Sequence, residues 1–315
     1  MSSIRIPFTK MHGLGNDFVL LGAETVKKLG LETEVAHGKL SAFTAFLCDR
    51  HFGVGGDGLI FPAKPSDPGR FDIQFIYFNS DGSRAEMCGN GIRCFARFVK
   101  DQGIMQGGQF TAETLAGPII PQINTDGSVT VNMGAPVFEP ARIPVSSVAE
   151  DTQTLSAATD TPIRLSLTVL ETTVPIMAIS MGNPHCLIFQ DDLPEALTPA
   201  LFGPLLESHP AFPGKTNVEF IEIISRTKIK VTVWERGCGF TLACGTGACA
   251  AVVGAILAGK VDHSVTVELP GGVLQICWSG EFNAPVYMTG PATYAFTGEI
   301  DAPCELLFDN LAIAP

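Results

Sequence analysis

The sequence predicts an α/β fold of the α+β type, built from two domains of similar organisation. The chain has 315 residues, which exceeds the size at which a single hydrophobic core usually continues to grow. An order of strand, turn, cysteine and helix occurs twice, first through Cys88 and again through Cys244. The second of these helices runs to Ala258 and is apolar on nearly all sides, which indicates burial in the centre of its domain.

Composition and charge indicate a globular protein that does not bind nucleic acid. Hydrophobic residues make up 46% of the chain and charged residues 17%, which argues against disorder. The formal net charge of -12 repels phosphate backbones and anionic membrane surfaces. No apolar run follows the charges at Arg5 and Lys10, and the longest one, 248–258, is too short to cross a bilayer. Nine cysteines without a signal peptide predict reduced thiols in the cytoplasm.

Apolar periodicity predicts the elements of the first half. It indicates a strand at 4–9, a Gly-rich turn at 11–18, a helix around 39–49, a strand at 71–78 and a helix that follows Cys88 and stops near Gly103. In this last helix Ile92 and Phe95 belong to the apolar face, whereas Arg93 is expected on another face.

A glycine-rich segment at Gly53-Val-Gly-Gly-Asp-Gly58 formally matches the dinucleotide-binding pattern G-x-G-x-x-G. That pattern needs a strand before it and a helix that opens within it. Here a predicted helix precedes the segment, and the extended sequence Leu-Ile-Phe-Pro follows it. We therefore reject a nucleotide site at this segment.

The second half is predicted to consist mainly of strands. A Pro-rich section at 135–144, followed by a polar stretch to Asp160, marks the domain boundary. Strands are predicted at 129–133, 163–170, 174–180, 186–189, 218–224, 229–234 and 287–300, with a short helix at 199–207.

The two Cys-Gly-x-Gly motifs, at Cys88 and Cys244, each place a thiol at a helix start. A helix start offers unpaired N–H groups and a partial positive charge, which suit a bound carboxylate. The same field favours a thiolate, and the pKa of cysteines at helix starts can fall to roughly 3.5 to 7.5, from about 8.5. A single cysteine is most often a buried small hydrophobe. Two cysteines in matching contexts favour a functional pair.

Other chemistries that use cysteine fit the spacing less well. Five residues separate Cys88 from Cys94 and also Cys238 from Cys244, and the sequence has no C-x2-C pair, which disfavours a zinc site. A Cys–His hydrolase would pair one thiol with His185 but would leave the second motif without a role. Two facing bases can instead remove a proton from one face of a carbon and return one to the other, which is stereoinversion.

The chain resembles the diaminopimelate epimerase family over nearly its full length, and seven sequence blocks in the same order carry the resemblance. The blocks are Gly13-Leu-Gly-Asn-Asp-Phe18, 47–55, 78–83, Met87-Cys-Gly-Asn-Gly91, Met181-Gly-Asn-Pro-His185, Thr216-Asn-Val-Glu-Phe220, and 234–237 with 243–248. Proline racemases have His where this chain has Asn90, and phenazine-type isomerases lack the cysteine pair. The alternatives are a proline or hydroxyproline racemase-type enzyme of the same fold, or a thiol redox or metal-binding protein without turnover.

The resemblance implies an epimerase that interconverts LL-2,6-diaminopimelate and the meso form, in lysine and peptidoglycan precursor biosynthesis. It implies no cofactor and no metal, a small-molecule substrate, no nucleic-acid or membrane partner, a cytoplasmic location, and it allows a homodimer. Cys88 and Cys244 correspond to the two bases. The implied substrate-binding residues are the backbone at Gly89, Asn90, Gly245 and Thr246 for the near carboxylate, Glu235 for the near ammonium group, Arg236 for the distal carboxylate, and Asn16, Asn79, Asn183 and Asn217 for the remaining polar groups.

The expected architecture is two domains related by an approximate internal two-fold. Each is expected to be a curved, mostly antiparallel sheet wrapped around a central helix, with the site in the cleft. The N-terminal domain, which contains Cys88, is predicted at 1–136 plus about 290–315, and the C-terminal domain, which contains Cys244, at 137–289. The strand at 287–300 is expected to return to the first domain.

Overall fold

Two units of tertiary structure make up the chain in the computed structural model. The structure describes residues 3–32, 40–146, 152–156, 163–193 and 198–307, and the stretch 152–156 by its backbone alone. Unit 1 comprises Met1–Val131 with Pro291–Pro315, and unit 2 comprises Asn132–Gly290. Lys39 and parts of the predicted polar boundary, 147–151 and 157–160, lie outside the described residues. Among the helices that are described, none has the length and apolar character needed to span a membrane.

The described residues form short helices and many strands, which confirms the α+β class. The α-helices are α1 (Ala23–Leu29), α2 (Leu40–Cys48), α3 (Gly89–Asp101), α4 (Pro199–Glu207) and α5 (Gly245–Leu257). The strands are β1 (Ser3–Gly13), β2 (Asn16–Leu20), β3 (Gly58–Ala63), β4 (Ile73–Asn79), β5 (Ala112–Thr114), β6 (Gly117–Ile119), β7 (Gln122–Ile123), β8 (Val129–Asn132), β9 (Thr152–Ser156), β10 (Ile163–Val169), β11 (Thr172–Ser180), β12 (Pro184–Phe189), β13 (Asn217–Ser225), β14 (Lys228–Glu235), β15 (Gly239–Phe240), β16 (Ser264–Leu269), β17 (Gly272–Cys277), β18 (Tyr287–Gly290) and β19 (Thr293–Pro303).

Unit 1 contains a seven-stranded sheet in the order β19-β1-β2-β3-β4-β5-β6. Neighbouring strands are antiparallel except for the pairs β2–β3 and β4–β5, which are parallel. Helices α1 and α2 lie in the connection of the first parallel pair, and α3 lies in that of the second. A parallel pair needs such a crossover, because the chain must return to the same end of the sheet.

Unit 2 repeats this sequence of pairings. Its strands run in the order β18-β17-β16-β14-β13-β12-β11-β10-β9, and β15 pairs with β14. The pairs β12–β13 and β14–β16 are parallel, and the pairs β11–β12, β13–β14 and β16–β17 are antiparallel. Helix α4 connects the first parallel pair and α5 lies between the strands of the second. The two units therefore share one connectivity, in which α3 corresponds to α5.

In each unit the helix that follows the cysteine motif lies against several strands. Helix α3 contacts β1, β2, β3 and β4, and α5 contacts β11 to β14 and β16 to β18. The α5 residues Ala248 to Ala255 are fully or almost fully buried, as its uniform apolar sequence predicts. Helix α3 departs from the prediction, because Arg93 is fully buried although it was expected off the apolar face. Its Nε donates to the Pro291 carbonyl at 3.1 Å and its Nη1 to the Gly89 carbonyl at 3.1 Å.

The segment predicted as one strand at 287–300 is two strands. Strand β18 ends at Gly290 and pairs with β17 in unit 2. Strand β19 begins at Thr293 and pairs with β1 in unit 1. Pro291 lies at the break, where a residue without an N–H cannot extend a strand ladder. The return to the first unit is correct, but it begins only after the break.

The glycine-rich segment 53–58 begins after α2 and ends at the first residue of β3. A helix precedes it and a strand follows it, which is the reverse of the dinucleotide-binding context. The structure thus confirms the predicted context on which the rejection of a nucleotide site rests.

Candidate active site

Cys88 is the N-cap residue of α3. Its backbone is extended, with φ -139° and ψ 121°, and its Sγ accepts a hydrogen bond from the Gly91 N–H at 3.4 Å. The first N–H groups of a helix have no acceptor within the helix, so a capping side chain satisfies one of them. The motif thus fixes the thiol at the positive end of the helix, beside the backbone of Gly89 and Asn90.

In unit 1 the predicted binding residue Asn16 contacts both Cys88 and Asn90, another predicted binding residue. The Asn16 Oδ1 accepts a hydrogen bond from the Cys88 thiol at 3.7 Å and from the Asn90 Nδ2 at 3.2 Å. Asn16 opens β2, whereas Asn90 is the second residue of α3 and is buried. The amides and the thiol form one hydrogen-bonded group at the start of α3.

Asn79 is the last residue of β4. Its Oδ1 accepts from the Tyr77 hydroxyl at 2.9 Å, and its Nδ2 donates to the Ser83 Oγ at 3.0 Å. Burial raises the pKa of Tyr77, and Cys88 and Asp57 raise it further. The Tyr77 hydroxyl is therefore a neutral donor at physiological pH, and it orients the Asn79 amide.

Cys244 occupies the corresponding position in unit 2, as the N-cap of α5. Its Sγ accepts from the Gly247 N–H at 3.4 Å and lies 3.5 Å from the Thr246 Oγ1. Burial raises the pKa of Cys244 well above its usual range, and the carboxyl groups of Glu235 and Glu219 add to this effect. The helix start alone predicts a lowered pKa, but desolvation and two nearby acids reverse that expectation. The surroundings hold Cys244 in its thiol form.

Glu235 ends β14 beside this thiol. Burial raises its pKa, and its hydrogen bonds with Thr241 and Cys244 act in the opposite direction. The Oε1 of Glu235 accepts a hydrogen bond from the Thr241 hydroxyl. The sequence-predicted residues Glu235 and Cys244 therefore belong to one group of interacting side chains.

A buried His185–Glu219 pair lies behind this group. Both side chains are fully buried, and the His185 Nδ1 lies 2.7 Å from the Glu219 Oε1. The His185 Nε2 lies 2.9 Å from the Oδ1 of Asn183, a predicted binding residue. Burial raises the pKa of Glu219, whereas His185 lowers it. Sequence reasoning missed Glu219, although an acid between Val218 and Phe220 in a buried strand is a signal that could have identified it.

Gly247 allows α5 to begin against this pair. A Cβ at position 247 would lie 2.7 Å from the Glu219 Oε1 and 3.2 Å from the Cys244 Sγ. The carboxyl oxygen cannot move away into solvent, because Glu219 is fully buried. The second glycine of the motif is therefore required by a close approach.

The Asn217 side chain is hydrogen-bonded to the backbone of Arg236. Asn217 is buried, donates from Nδ2 to the Pro184 carbonyl at 2.9 Å, and accepts from the Arg236 N–H at 3.0 Å. The Arg236 side chain is exposed, and its Nη1 donates to the Gly214 carbonyl at 3.1 Å. Its guanidinium group forms no ion pair with any described residue. Asn217 thus fixes the turn from which Arg236 projects.

Glu207, which sequence reasoning also missed, holds the same turn from the end of α4. Its carboxylate accepts from the Trp234 Nε1 at 2.8 Å and from the Gly237 N–H at 3.0 Å, and Lys215 lies 3.2 Å away. The bond from Trp234 is the largest contribution that lowers the pKa of Glu207. The carboxylate of Glu207 therefore remains ionised, and it holds the chain on both sides of Arg236 through Trp234 and Gly237.

The predicted residues form two groups, one in each unit. In unit 1, Asn16, Asn79, Gly89 and Asn90 accompany Cys88, and in unit 2, Asn183, Asn217, Glu235, Arg236, Gly245 and Thr246 accompany Cys244. Each group combines a thiol, a helix N terminus and side-chain amides, which together can bind a carboxylate and exchange a proton. Throughout the described ranges, no three His, Cys, Asp or Glu side chains gather as ligands of a metal ion.

Solved structures share this fold at low sequence identity. A hydroxyproline epimerase from Agrobacterium vitis has a TM-score of 0.63 and 16% identity, covering 96% of this chain and 95% of its own. A probable proline racemase from Agrobacterium radiobacter has a TM-score of 0.60 and 16% identity, covering 94% and 92%. At this identity the likeness is one of fold.

Relatives found by sequence have a much higher identity to this chain than these solved structures have. The sequence profile of the diaminopimelate epimerase family matches residues 8–139 and 177–295. The diaminopimelate epimerase of Albidiferax ferrireducens is 48% identical over 308 residues, covering 98% of this chain and 100% of that protein. Diaminopimelate epimerase 1 of Nostoc sp. is 47% identical, covering 94% and 99%. With both cysteine motifs inside the matched ranges, the chain belongs to the diaminopimelate epimerase family.

Proposed function

We propose that the chain interconverts LL-2,6-diaminopimelate and meso-diaminopimelate by proton transfer between two cysteines, without a cofactor. Its family makes it an isomerase of the epimerase class. The observation that supports the two-base scheme is the equivalence of Cys88 and Cys244. Each is the N-cap of the helix at the same place in the repeated connectivity, and each accepts a hydrogen bond from the third helical N–H.

In the proposed reaction one cysteine acts as thiolate and the other as thiol. The thiolate takes the α-proton, so the C–H bond breaks and an S–H bond forms. The second thiol then gives its proton to the opposite face of the carbon and becomes a thiolate. The raised pKa of Cys244 supports the assignment of Cys244 as the proton donor when Cys88 is the base. The two roles exchange in the reverse direction.

The carboxylate beside the reacting carbon is proposed to bind at the two helix starts. The backbone N–H groups at Gly89, Asn90, Gly245 and Thr246 are the donors for it. Negative charge grows on this carboxylate as the α-proton leaves, and oriented N–H dipoles stabilise such charge. This stabilisation would replace the electron sink that a cofactor otherwise supplies.

The distal end of the substrate is proposed to bind through Arg236 and the asparagines. The exposed guanidinium of Arg236 suits a bidentate grip on the second carboxylate. Asn79, Asn183 and Asn217 would satisfy the distal polar groups, with Asn16 beside them. Glu235, next to Cys244, would receive the ammonium group at the reacting centre. A cytoplasmic location and a homodimer remain predictions from the sequence.

The test follows deuterium from heavy water into one α-carbon of LL-diaminopimelate. Cys88→Ala and Cys244→Ala should each lower the rate of epimerisation by at least about 10³-fold, because each removes one of two essential proton carriers. Cys277→Ala is the matched control, since Cys277 lies in a strand beside Ser264 and should be dispensable. Full activity in either active-site variant would contradict the two-base scheme.

The same assay separates the alternatives. Exchange into proline instead of diaminopimelate would assign the chain to the racemase-type activity. No exchange into either amino acid would leave a thiol protein without turnover.

A further inference from the structure

The carboxylate of Asp57 lies behind Asn16 in unit 1. Its Oδ2 accepts a hydrogen bond from the Asn16 Nδ2 at 2.7 Å and from the Asp17 N–H at 3.0 Å. Its Oδ1 accepts from the Arg50 Nη2 at 2.8 Å. The mechanism proposed above does not use Asp57.

This contact determines which way the Asn16 amide points. A carboxylate only accepts hydrogen bonds, so the Nδ2 of Asn16 must face Asp57 and the Oδ1 must face the opposite side. On that side the Oδ1 accepts from the Cys88 thiol at 3.7 Å and from the Asn90 Nδ2 at 3.2 Å. An acceptor beside a sulfur atom stabilises the S–H form relative to the thiolate.

A network of charges holds Asp57 in this position. Arg50 donates to both Asp57 and Asp17, with 2.7 Å between its Nη2 and the Asp17 Oδ1. The buried Lys10 lies 2.7 Å from the Asp17 Oδ2 and also donates to the Gly55 carbonyl. These contacts join β1, β2 and the segment before β3.

The glycine-rich segment 53–58 places the carboxylate there. Gly58 pairs with Phe18 of β2 in parallel register and with Asn79 of β4 in antiparallel register. Asp57 therefore lies beside Asp17 and Asn16. A Cβ at Gly58 would lie 2.6 Å from the Tyr77 Cε2, so a side chain would disturb this register.

We propose that Asp57 is a positioning residue, which fixes the Asn16 amide and through it keeps the proton on Cys88 in the substrate-free protein. The proposal rests on the proposed function of Cys88 as a base. It also gives the G-x-G-x-x-G segment a role, as the support of an acid that orients a side chain next to the thiol.

The interpretation of an Asp57 variant depends on the charged and titratable groups around Cys88. Tyr77 on β4 and Cys94 on α3 are the titratable neighbours, and burial raises the pKa of both, to about 12 for Cys94. Both are neutral at pH 7. Arg93 of α3 is a charged group close to Cys88, since its Nη1 donates to the Gly89 carbonyl, and Asp57→Asn leaves it unchanged. Further charges lie on the far side of Asn16, in Asp57, Arg50, Asp17 and Lys10.

The test compares Asp57→Asn with Asp126→Asn. Asp126 is a matched control, because its carboxylate caps an exposed turn of unit 1 through Ser128. The rate of Cys88 alkylation by iodoacetamide is measured against pH without substrate, by mass spectrometry of the Cys88 peptide. For Asp57→Asn we expect the midpoint to move about one pH unit lower, because the amide of Asn16 can now turn its Nδ2 toward the sulfur. Epimerisation kcat/KM should fall by about 10²-fold, since Asn16 is no longer held in place.

Both effects together in Asp57→Asn, with neither in Asp126→Asn, support the proposal. An unchanged alkylation midpoint overturns it, even when activity falls, because a purely structural defect would lower activity alone. Unchanged kcat/KM also overturns it.

If Asp57→Asn does not fold, Asn16→Ala serves in the same titration, since it removes the acceptor directly and should lower the midpoint. If the unaltered chain shows no deuterium exchange, the proposed function fails, and the Cys88 midpoint alone still decides whether Asp57 controls the thiol.

Discussion

The carboxyl group of Glu219 is fully buried in unit 2, and one of its oxygens makes no hydrogen bond to any described residue. The other oxygen contacts His185 at 2.7 Å. A buried carboxylate with an incomplete set of partners is costly, and the protein responds by favouring the protonated form. The pKa of Glu219 is accordingly raised, and the negative charge that Glu219 carries when ionised adds to the raised pKa of Cys244.

Glu219→Gln tests this link through the pH dependence of stability. The folded-state pKa of Glu219 lies above its unfolded value, so its favourable contribution is complete below the unfolded pKa and is lost as pH rises through the folded pKa. Glutamine has no proton to lose. The free energy of unfolding of Glu219→Gln, relative to the unaltered protein, should therefore increase from pH 4 to pH 8 in urea denaturation. The control Glu222→Gln changes a partly exposed acid of the same strand that pairs with Lys230. An equal difference at both pH values for Glu219→Gln would contradict the explanation.

Some residues of the candidate site could be predicted from the sequence and others could not. Cys-Gly-x-Gly is a local signal, so both N-cap thiols could be predicted from neighbouring residues alone. Asp57 and Glu219 act on partners that are distant in sequence, 41 residues for Asp57 to Asn16 and 34 for Glu219 to His185. Such contacts depend on strand register, which a local pattern does not determine.

At the scale of elements, ion pairs connect β1, β2 and the segment that follows α2. Burial of Asp17 raises its pKa, but hydrogen bonds from Arg50 and Lys10 outweigh burial and lower the pKa to about 2. Only 19% of the Asp17 side chain and 7% of the Lys10 side chain are exposed, so solvent screens this pair weakly. The ion pairs fix the hairpin that presents Asn16.

Asp17→Asn should therefore destabilise the protein in a pH-dependent way. The folded pKa of about 2 lies below the unfolded value, so the stabilisation is present above about pH 4 and is lost as pH falls toward 2. Its pH-dependent part should be about 2 kcal/mol at pH 7 and should decrease on acidification, as measured by urea denaturation from pH 7 to pH 3. Asp301→Asn is the control, because its pair with Arg5 is more than half exposed and should contribute little. A loss in Asp17→Asn that does not change with pH would exclude the ion pairs as its source.

The pairing of elements was only partly predictable. Alternating and apolar runs located β1, β4, β8 and β10 to β14, but they missed β16, β17 and also β2, whose first residues were predicted as part of a turn at 11–18. They could not show that β2–β3 and β12–β13 are parallel, because side-chain alternation is the same in both directions. Arg93 shows a second limit. It was expected to lie off the apolar face of the helix, yet it is fully buried and donates a hydrogen bond to the Pro291 carbonyl, which is distant in sequence.

At the scale of the whole molecule, the two units differ in how the chain forms them. One core cluster, which includes Ile6 and Phe8 of β1 and also Ala302 and Leu307, draws on both ends of the chain. Another, which includes Leu165, Phe202 and Phe220, lies within one continuous stretch. We propose that the units correspond to the domains predicted at 1–136 plus about 290–315 and at 137–289. Their shared connectivity agrees with an internal repeat.

This difference predicts that residues 132–290 fold alone, whereas residues 1–131 do not. The first fragment retains β10 to β18, α4, α5 and a complete core cluster. The second loses β19, so β1 has no partner along its outer edge, and Ile6 and Phe8 lose the cover of Ala302 and Leu307. A cooperative thermal transition by circular dichroism is expected for 132–290 and for a chain that joins 1–131 to 291–315 through a flexible linker, but not for 1–131. Cooperative unfolding of 1–131 by itself would show that β19 is not needed to complete the sheet. Neither fragment should epimerise diaminopimelate, since each contains only one of Cys88 and Cys244.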